Sequence, residues 1–353
     1  MTQAYVALEN GQIIEARSRS PGRTRGELVF TTAYTGYEES LTDPSYEEQI
    51  LTFSYPLIGN YGVREDRFES NRVHPRGVVA RELTEDVAEW LRSEDVPAVD
   101  ELDTRDLVTG IREQGAMRCG IAAGPDATAA EAEAELEACK GMSEHTDIGS
   151  QVSVEEQVTY NPDGVGPTVA LLDCGAKGSI ASSLVERDAV VEKLPYDATV
   201  ADIDSVDPDI LFISNGPGDP ENFEAAAALV EEFVGEVPLA GICLGQQVIA
   251  NALGGETQKM EFGHRGVNQP VRDLRSDRVV MTTQNHGYTV SEPGNLDVTQ
   301  INVNDDTPEG LESDELDVIT RQYHPEANPG PHDTLGFFDD VLAMVESPEA
   351  AEQ

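Results

Sequence analysis

The fold is decided by the segment Pro238-Leu-Ala-Gly-Ile-Cys243-Leu-Gly-Gln-Gln247-Val-Ile-Ala-Asn-Ala-Leu253-Gly-Gly255, in which a cysteine separates an apolar stretch from a helical pattern. The short apolar stretch before the cysteine predicts a buried strand. After it, apolar residues recur every four positions, at Leu244, Val248 and Ala252, which indicates one face of a helix. The paired glycines at the end of the segment predict where that helix stops.

Cys243 is flanked by a glycine two residues away on either side, Gly241 and Gly245. A reactive residue with small neighbours, in a tight turn between a strand and a helix, is typical of a nucleophile elbow. Such a turn places the thiol at a helix N-terminus, where the helix dipole favours a thiolate. Most free cysteines are instead buried and inert. Three cysteines lack this setting, and we expect them to be buried and inert. They are Cys119, Cys139 and Cys174.

From residue 168 onward, short apolar strands alternate with helical patterns. The predicted strands are 168–172, 189–191, 210–213 and 239–242, and the predicted helices are 180–187 and 221–234. This alternation is typical of an α/β fold with a mostly parallel sheet and helices on both faces. Ligands in such folds bind at the carboxyl ends of the strands, so functional residues are expected there.

A cysteine nucleophile needs a base, and the base needs a group that orients it. A late strand, predicted over 318–322, is followed by Tyr323-His324-Pro325-Glu326. His324 then falls at a strand end, and Glu326, two residues on, can hold its imidazole. His286 is a competing base, which we rank second because no carboxylate follows it nearby.

Two further segments supply glycines or polar groups. Ser214-Asn215-Gly216-Pro217-Gly218-Asp219-Pro220 follows the strand 210–213, and its glycines let backbone N–H groups approach a ligand. Such groups could stabilise an oxyanion, for which one donor is worth ~10²–10³ in rate. The same composition also fits a simple turn. Gln284-Asn285-His286-Gly287-Tyr288 offers polar groups suited to an α-amino and an α-carboxylate group.

Residues 1–160 have a different pattern of apolar and turn-forming residues, and we assign them to a separate N-terminal domain of mixed α+β structure. Short apolar runs separated by turn signals predict strands within 4–8, 27–31, 50–53 and 77–80. One helix is predicted between Asp103 and Gly115, and another spans 128–140. Residues 161–167, Asn-Pro-Asp-Gly-Val-Gly-Pro, form the predicted linker to a second domain over 168–353.

The chain carries 67 acidic and 23 basic residues, a net charge of -44. Nucleic acid is excluded as a partner, because phosphate neutralisation needs basic patches. So large a charge indicates a halophilic protein, since about 1 M salt shortens the Debye length to ~3 Å and screens self-repulsion. No stretch resembles a membrane span or signal peptide, which predicts a cytoplasmic protein that does not bind membranes. The four cysteines and six histidines show no paired spacing, which predicts free thiols and no metal site.

Together these segments resemble the class I glutamine amidotransferases, whose hallmark is Cys-x-Gly-x-Gln on an elbow with a distal His-x-Glu. Here the two motifs are Cys243-Leu-Gly-Gln-Gln247 and His324-Pro-Glu326. The N-terminal half is similar to the small subunit of carbamoyl-phosphate synthase. The matching stretches run from Phe30 through Asp43-Pro44-Ser45-Tyr46 and from Thr52 to Gly62. The resemblance covers nearly the whole chain.

The resemblance implies a glutaminase subunit of carbamoyl-phosphate synthase, a ligase that serves arginine and pyrimidine biosynthesis. It implies that L-glutamine is hydrolysed through a thioester. The ammonia passes to a large partner subunit, which makes carbamoyl phosphate from bicarbonate and ATP. No cofactor is implied in this chain, since ATP and metal ions are expected on the large subunit. The N-terminal domain would contact that subunit and the glutamine site.

Carried onto this sequence, the family's triad is Cys243 as nucleophile, His324 as acid and base, and Glu326 as the group that orients it. The implied glutamine contacts are Ser45, Gly216, Gly218, Leu244, Gln247, Asn285, Gly287 and Tyr288. The N–H groups of Gly216 and Leu244 would form the oxyanion hole. Three alternatives stay open: an amidotransferase subunit of another synthase, a cysteine peptidase on a similar elbow, and a non-catalytic docking subunit.

Overall fold

The computed structural model describes residues 3–345 and divides into two compact units. The first unit contains residues 3–146, 260–267 and 328–330, and the second contains the other described residues. The division falls before the predicted linker, because the strand Val158–Tyr160 pairs with the strand Val190–Pro195 of the second unit. The predicted domain boundaries at residues 160 and 168 therefore differ from the division of the structure.

The first unit is rich in short strands. Its strands are β1 (Gln3–Leu8), β2 (Ile13–Ser20), β3 (Gly22–Thr31), β4 (Gln49–Phe53), β5 (Leu57–Ile58), β6 (Gly77–Val79), β7 (Glu82–Leu83), β8 (Ala98–Asp100) and β9 (Met117–Ala123). Its helices are α1 (Tyr37–Leu41), α2 (Glu85–Ser93), α3 (Thr104–Gln114) and α4 (Ala129–Glu137). The four strands predicted in this half fall within β1, β3, β4 and around β6.

Seven of these strands close a barrel in the order β1-β2-β8-β6-β4-β3-β9. Side chains alternate between the two faces of a strand, so neighbouring residues enter different cores. Leu28 and Ile50 lie in one apolar cluster with residues of β1, β6, β8 and β9. Val29 and Leu51 instead pack with residues of α1 and α2. The barrel strands therefore bury apolar side chains on both faces.

The caps of two helices confirm their predicted starts. Asp103 accepts hydrogen bonds from the N–H groups of Arg105 and Asp106, at 3.1 and 3.2 Å, and α3 ends at Gly115. Thr128 caps α4 and forms a reciprocal capping box with Glu131. These local signals could be read from the sequence because each cap satisfies N–H groups that the helix itself leaves without partners.

The second unit alternates strands and helices. Its strands are β10 (Val158–Tyr160), β11 (Thr168–Asp173), β12 (Val190–Pro195), β13 (Ile210–Ile213), β14 (Leu239–Ile242), β15 (Glu256–Asp273), β16 (Val279–Glu292), β17 (Asp297–Asn302), β18 (Pro308–Ser313) and β19 (Val318–Arg321). Its helices are α5 (Ile148–Val152), α6 (Gly178–Val185), α7 (Val200–Val206), α8 (Glu224–Phe233), α9 (Leu244–Ala252) and α10 (Gly336–Ala343). Residues 260–267 of β15 group with the first unit.

A ten-stranded sheet runs in the order β10-β12-β11-β13-β14-β19-β18-β17-β15-β16. Strands β12, β11, β13, β14 and β19 are mutually parallel. The sheet continues on one side through the antiparallel strands β18, β17 and β15. One face of the parallel strands packs on α6 and α10 in a single apolar cluster. The parallel sheet with its helices confirms the predicted α/β fold class.

The predicted strands 210–213 and 239–242 have the bounds found in the structure. The helix predicted over 221–234 is wrong at its start. Pro220–Asn222 forms a 3₁₀ turn, capped by the Asp219 carboxylate that accepts from the N–H of Glu221, and α8 begins only at Glu224. The helix predicted over 180–187 lies two residues earlier, and the strand predicted over 189–191 extends to Pro195.

All four cysteines lie within the described residues, are buried, and form no disulfide. Among residues 3–345, no helix combines the length and apolar character needed to cross a bilayer.

Candidate active site

Cys243 lies in the turn of the second unit between β14 and α9. Its backbone has φ 54° and ψ −104°, and a positive φ of this kind costs a non-glycine residue ~1–3 kcal/mol. Its N–H donates to the carbonyl oxygen of Arg321 in the neighbouring strand β19, at 2.7 Å. The predicted elbow is therefore present, with the strained backbone that often marks a functional turn.

The two glycines that flank Cys243 are required by close backbone approaches. A Cβ at Gly245 would lie 2.1 Å from the carbonyl oxygen of Ile213, at the end of β13. A Cβ at Gly241 would lie 2.8 Å from the carbonyl carbon of Gly245. Both distances are far below van der Waals contact, and the atoms met are backbone atoms that cannot move aside. Only glycine therefore lets α9 start directly against the sheet.

His324 follows β19 and is fixed at its backbone and at its ring. Its N–H donates to the carbonyl oxygen of Thr283 at 2.8 Å, and its Nδ1 lies 2.6 Å from Oε1 of Glu326. Both side chains are almost completely buried. Because Nδ1 is engaged by the carboxylate, Nε2 is the nitrogen left to exchange protons with a reacting group.

The electrostatics couple His324 to both Glu326 and Cys243. Burial lowers the pKa of His324, but the charge of Glu326 and an interaction with the Cys243 side chain outweigh burial and raise it above its usual range. Since Nδ1 faces Glu326, the interaction with Cys243 is on the Nε2 side, where no hydrogen bond of ordinary geometry forms within residues 3–345. The buried carboxylate therefore favours the protonated imidazole, with Nε2 on the side of Cys243.

Lys177 is a further buried member of this group. Its Nζ lies 3.1 Å from Oε1 of Glu326 and donates to the carbonyl oxygen of Ala327 at 2.5 Å. Burial alone would raise the pKa of Glu326, but the charges of Lys177 and His324 lower it below its usual range. The carboxylate that holds His324 is therefore kept ionised by an ammonium that contacts the same oxygen.

His286, the competing base, is engaged within its own strand. Its Nδ1 lies 2.8 Å from the carbonyl oxygen of Tyr288, and its Nε2 lies 3.1 Å from Oε1 of Gln284. Both ring nitrogens thus face oxygens of the protein, unlike those of His324. This geometry supports the ranking of His324 above His286.

Gly216 and Leu244, the predicted oxyanion-hole residues, lie close together. A Cβ at Gly216 would lie 2.1 Å from the carbonyl oxygen of Cys174 and 2.8 Å from Cδ2 of Leu244. Leu244 is the first residue of α9, and the first N–H groups of a helix have no partner within it. Two backbone N–H groups therefore belong to adjoining turns at the carboxyl ends of β13 and β14.

Strand β16 contributes the remaining predicted contacts of this unit. Sγ of Cys243 lies 3.8 Å from the carbonyl oxygen of Asn285. Nε2 of Gln247 donates to the carbonyl oxygen of Tyr288 at 2.9 Å and to Oε1 of Gln322 at 3.1 Å. Gly287 lies between Asn285 and Tyr288 on the same strand. The structure thus brings Asn285 to the thiol and fixes Gln247 against the strand.

Two further predicted glutamine contacts are Gly218 and Ser45. Gly218, with φ 93°, is in the loop after β13, where a Cβ would lie 2.9 Å from Cγ2 of Ile148. Ser45 belongs to the first unit, in the 3₁₀ turn Pro44–Tyr46, where its N–H donates to Oδ1 of Asp43 at 2.9 Å. Its role toward glutamine stays a prediction.

Comparison with known proteins assigns both halves of the chain. Residues 170–344 match the model of the class-I glutamine amidotransferases, and residues 6–121 match the CPSase domain of the carbamoyl-phosphate synthase small chain. The carbamoyl phosphate synthase small chain of Halobacterium salinarum is 69% identical over 347 residues, which cover 98% of each chain. This chain belongs to the carbamoyl phosphate synthase small chain family.

Relatives at lower identity span the same length. The small chain of Methanocaldococcus jannaschii is 41% identical over 349 residues, covering 97% of this chain and 99% of the relative. Among solved structures, a glutamine amidotransferase of Thermotoga maritima covers 51% of this chain at 15% identity, with a TM-score of 0.42.

The elbow at Cys243, His324 and the glycine loop 214–220 were predicted from the residues themselves. Lys177 was not predicted from the sequence. Its one local signal is its position shortly after the carboxyl end of strand β11, as one of only four lysines in the chain. Ser45 came only from the resemblance. The expectation that ATP and metal ions bind the partner subunit stays a prediction.

Proposed function

We propose that this chain is the glutaminase subunit of a carbamoyl phosphate synthase. It hydrolyses L-glutamine with Cys243, His324 and Glu326 and delivers the ammonia to a large subunit. That subunit makes carbamoyl phosphate from bicarbonate and ATP, for arginine and pyrimidine synthesis. The observation that carries the proposal is the strained turn of Cys243 in the same unit as the buried His324–Glu326 pair, in a small-chain family member.

The first half of the reaction forms a thioester. The thiolate of Cys243 attacks the side-chain amide carbon of glutamine, and the carbonyl π electrons move to oxygen. The protonated form of His324, which Glu326 favours, gives its Nε2 proton to the amide nitrogen. The carbon–nitrogen bond breaks, ammonia leaves, and a γ-glutamyl thioester remains on Cys243.

The second half releases glutamate. Neutral His324 takes a proton from water at Nε2, and the water oxygen adds to the thioester carbon. Collapse of this intermediate breaks the carbon–sulfur bond and regenerates the thiolate beside a protonated imidazole. Glu326 holds Nδ1 throughout and stabilises the imidazolium, as the 2.6 Å contact allows.

The negative oxygen of both intermediates needs donors that are already in place. The backbone N–H groups of Gly216 and Leu244 are the proposed donors, because they lie at adjoining turns beside Cys243. Losing one such donor typically costs ~10²–10³ in rate. Gln247, Asn285, Gly287, Tyr288, Gly218 and Ser45 are the proposed contacts of the glutamine backbone groups.

A trapped thioester tests this proposal directly. The protein is mixed with L-glutamine, quenched in acid and digested, and peptides are analysed by mass spectrometry. A γ-glutamyl adduct is expected on the peptide with Cys243 and on no peptide with Cys119, Cys139 or Cys174. Glutamate formation with no adduct on Cys243, or an unchanged rate in Cys243→Ala, contradicts it. Failure of the wild type to hydrolyse glutamine, alone and with the large subunit, supports a non-catalytic docking subunit instead.

A further inference from the structure

The short turn that carries Ser45 is held at both ends by one other segment of the first unit. This turn, Pro44–Tyr46, lies between Thr42 and Glu47 in the chain. Both flanking residues and Ser45 itself are buried. The contacts that hold the flanks come from residues 69–76, which we call the clamp segment. A 3₁₀ turn of three residues has few hydrogen bonds of its own, so its position depends on the contacts of its flanks.

Thr42, on the first flank, accepts two hydrogen bonds from the clamp segment. Its hydroxyl oxygen accepts from the N–H of Glu69 at 2.8 Å, and its carbonyl oxygen accepts from the hydroxyl of Ser70 at 2.7 Å. The Thr42 hydroxyl in turn donates to the carbonyl oxygen of Glu38 at 2.8 Å. The residue that precedes Asp43 is therefore fixed through its side chain and its backbone.

Glu47, on the second flank, is held by three side chains of the clamp segment. Its Oε2 lies 2.7 Å from Nη2 of Arg72 and 2.9 Å from Nδ1 of His74. Its Oε1 lies 3.2 Å from Nη2 of Arg76. Burial alone would raise the pKa of Glu47, but the His74 hydrogen bond and the two arginine charges outweigh burial and lower that pKa below its usual range. The buried carboxylate stays ionised because these partners surround it.

His74 joins the two flanks. Its Nε2 lies 2.9 Å from Oγ of Ser70, which holds Thr42, and its Nδ1 contacts Glu47. Its backbone N–H donates to the carbonyl oxygen of Leu41 at 3.0 Å, and the residue is buried. Loss of the imidazole would therefore remove the contacts with Ser70 and Glu47 together.

The backbone directly after the second flank is strained. Glu48 has φ 62°, a left-handed conformation that is unfavourable for a residue with a side chain. Nη2 of Arg76 lies 2.6 Å from Oε1 of Glu48, and the N–H of Arg76 donates to the carbonyl oxygen of Gln49 at 2.7 Å. Such a conformation persists only where the surrounding structure imposes it. The clamp segment supplies contacts that do so.

We propose that His74 is a positioning residue for glutamine hydrolysis, which fixes the turn of Ser45 from both flanks. The inference rests on the proposed function, in which Ser45 contacts the backbone groups of glutamine. A binding group must be held within about 0.5 Å of its productive position, so loss of its support weakens the contact that it makes. His74 acts through Ser45 and takes no part in bond making. Its loss should therefore impair glutamine binding and spare the chemical step.

A role in stability alone is the competing explanation for this buried histidine. It predicts that His74→Ala lowers the free energy of unfolding and leaves the KM for glutamine unchanged. A positioning role predicts a rise in KM that depends on the hydroxyl of Ser45. The two explanations therefore differ in the steady-state constants of the folded variants.

Steady-state glutaminase kinetics in the complex with the large chain test the proposal through a double-mutant cycle. The variants are His74→Ala, Ser70→Ala, Ser45→Ala and the combination of Ser45→Ala with His74→Ala. Asp100→Asn is the matched control, because this carboxylate of the same unit is also buried but accepts its side-chain hydrogen bonds from Arg17. A urea unfolding curve of each variant shows whether it is folded.

His74→Ala should raise the KM for glutamine by about 5- to 20-fold, with kcat within about threefold of the wild type. Ser45→Ala should raise KM by a similar factor. The double variant should be little worse than the larger single effect, because both substitutions remove the same contact. Ser70→Ala should raise KM by about 2- to 5-fold, and it carries the test if His74→Ala is unfolded. The control should lose stability, with KM within about twofold.

An unchanged KM in the folded clamp variants, while Ser45→Ala raises KM, overturns the inference alone. So do effects of His74→Ala and Ser45→Ala that multiply in the double variant, since independent contributions add in free energy. An unchanged KM in Ser45→Ala removes the glutamine contact on which the inference rests, and the inference falls with that contact. Absence of glutaminase activity in the wild-type complex contradicts the proposed function as a whole.

Discussion

Nζ of Lys177 lies 3.1 Å from Oε1 of Glu326, and exposure of the two side chains is 2% and 0%. The same carboxylate oxygen is 2.6 Å from Nδ1 of His324. The ammonium of Lys177, the carboxylate of Glu326 and the imidazole of His324 thus form a buried row of contacts. The side chain of Cys243 interacts with the imidazole. Isolated charges in such surroundings are costly, so Glu326 depends on Lys177 and His324 to stay ionised.

Replacing Lys177 by methionine should move the acid limb of the glutaminase pH profile upward. The pKa of Glu326 is lowered by Lys177 and His324 against burial, which raises it. Without the ammonium that pKa rises, so Glu326 takes up a proton at a higher pH and stops orienting His324. Stability should also fall by ~3–5 kcal/mol, because the variant leaves a buried carboxylate without one partner. The measurement is kcat against pH, with a urea unfolding curve for each variant.

Lys193→Met is the matched control for that variant. Nζ of Lys193 lies 2.9 Å from Oδ2 of buried Asp173, an ion pair of the same unit that includes none of Cys243, His324 and Glu326. This control should lose stability without moving the acid limb. An equal shift in both variants, or none in Lys177→Met, contradicts the role assigned to Lys177.

Glu326→Gln should lower kcat by roughly 10²–10⁴ with little change in KM. The amide can still accept from Nδ1–H but carries no charge to stabilise the imidazolium. Steady-state glutaminase kinetics give both constants, and an unfolding curve shows whether the variant is folded. A folded variant with kcat within tenfold of the wild type would rule out an electrostatic role for Glu326.

Gly245→Ala should destabilise the second unit and remove activity. Its Cβ would lie 2.1 Å from the carbonyl oxygen of Ile213, so α9 must move away from β13. Forced repacking of this kind costs about 1–3 kcal/mol or more. Gly110→Ala in α3 is the control, since its Cβ meets nothing within 4 Å. It should stabilise the helix by ~0.5–1 kcal/mol. The thermal unfolding midpoint of each variant is compared with that of the wild type. Shifts of the same sign in both variants would contradict the steric explanation.

Raising KCl from about 0.1 M to about 3 M should raise the thermal midpoint. The net charge of -44 repels itself within the folded chain, and salt shortens the range of that repulsion to a few Å. Differential scanning calorimetry across the series measures this directly. A midpoint that stays flat would mean that the acidic surface is not an adaptation to salt.

Elements that depend on local sequence patterns were predicted well. Strands β13 and β14 were predicted with their observed bounds, because parallel strands buried on both faces read as continuous apolar runs. The caps at Asp103 and Thr128 were readable for a similarly local reason. Strand β15 was missed, since its 18 residues mix exposed, half-buried and buried positions without a clean alternation.

Long-range relationships could not be read in the same way. Closure of the barrel depends on pairing of β1 with β9, which are separated by most of the first unit. Lys177 meets the segment after His324 across 150 positions of chain, and no local pattern announces that contact. The elbow was found because its two glycines and its cysteine are neighbours in sequence. The contact of Lys177 with Ala327 becomes visible only in the folded structure.

Cys243 is proposed to generate the ammonia that a large subunit consumes. The most direct test compares Cys243→Ser with wild type in the reconstituted complex, assaying carbamoyl phosphate made from glutamine and from ammonium chloride. Glutamine-dependent synthesis should fall by roughly 10³-fold or more, since the nucleophile is lost. Ammonia-dependent synthesis should match the wild type. Equal loss of both activities, or glutamine-dependent synthesis that survives the substitution, would contradict the account.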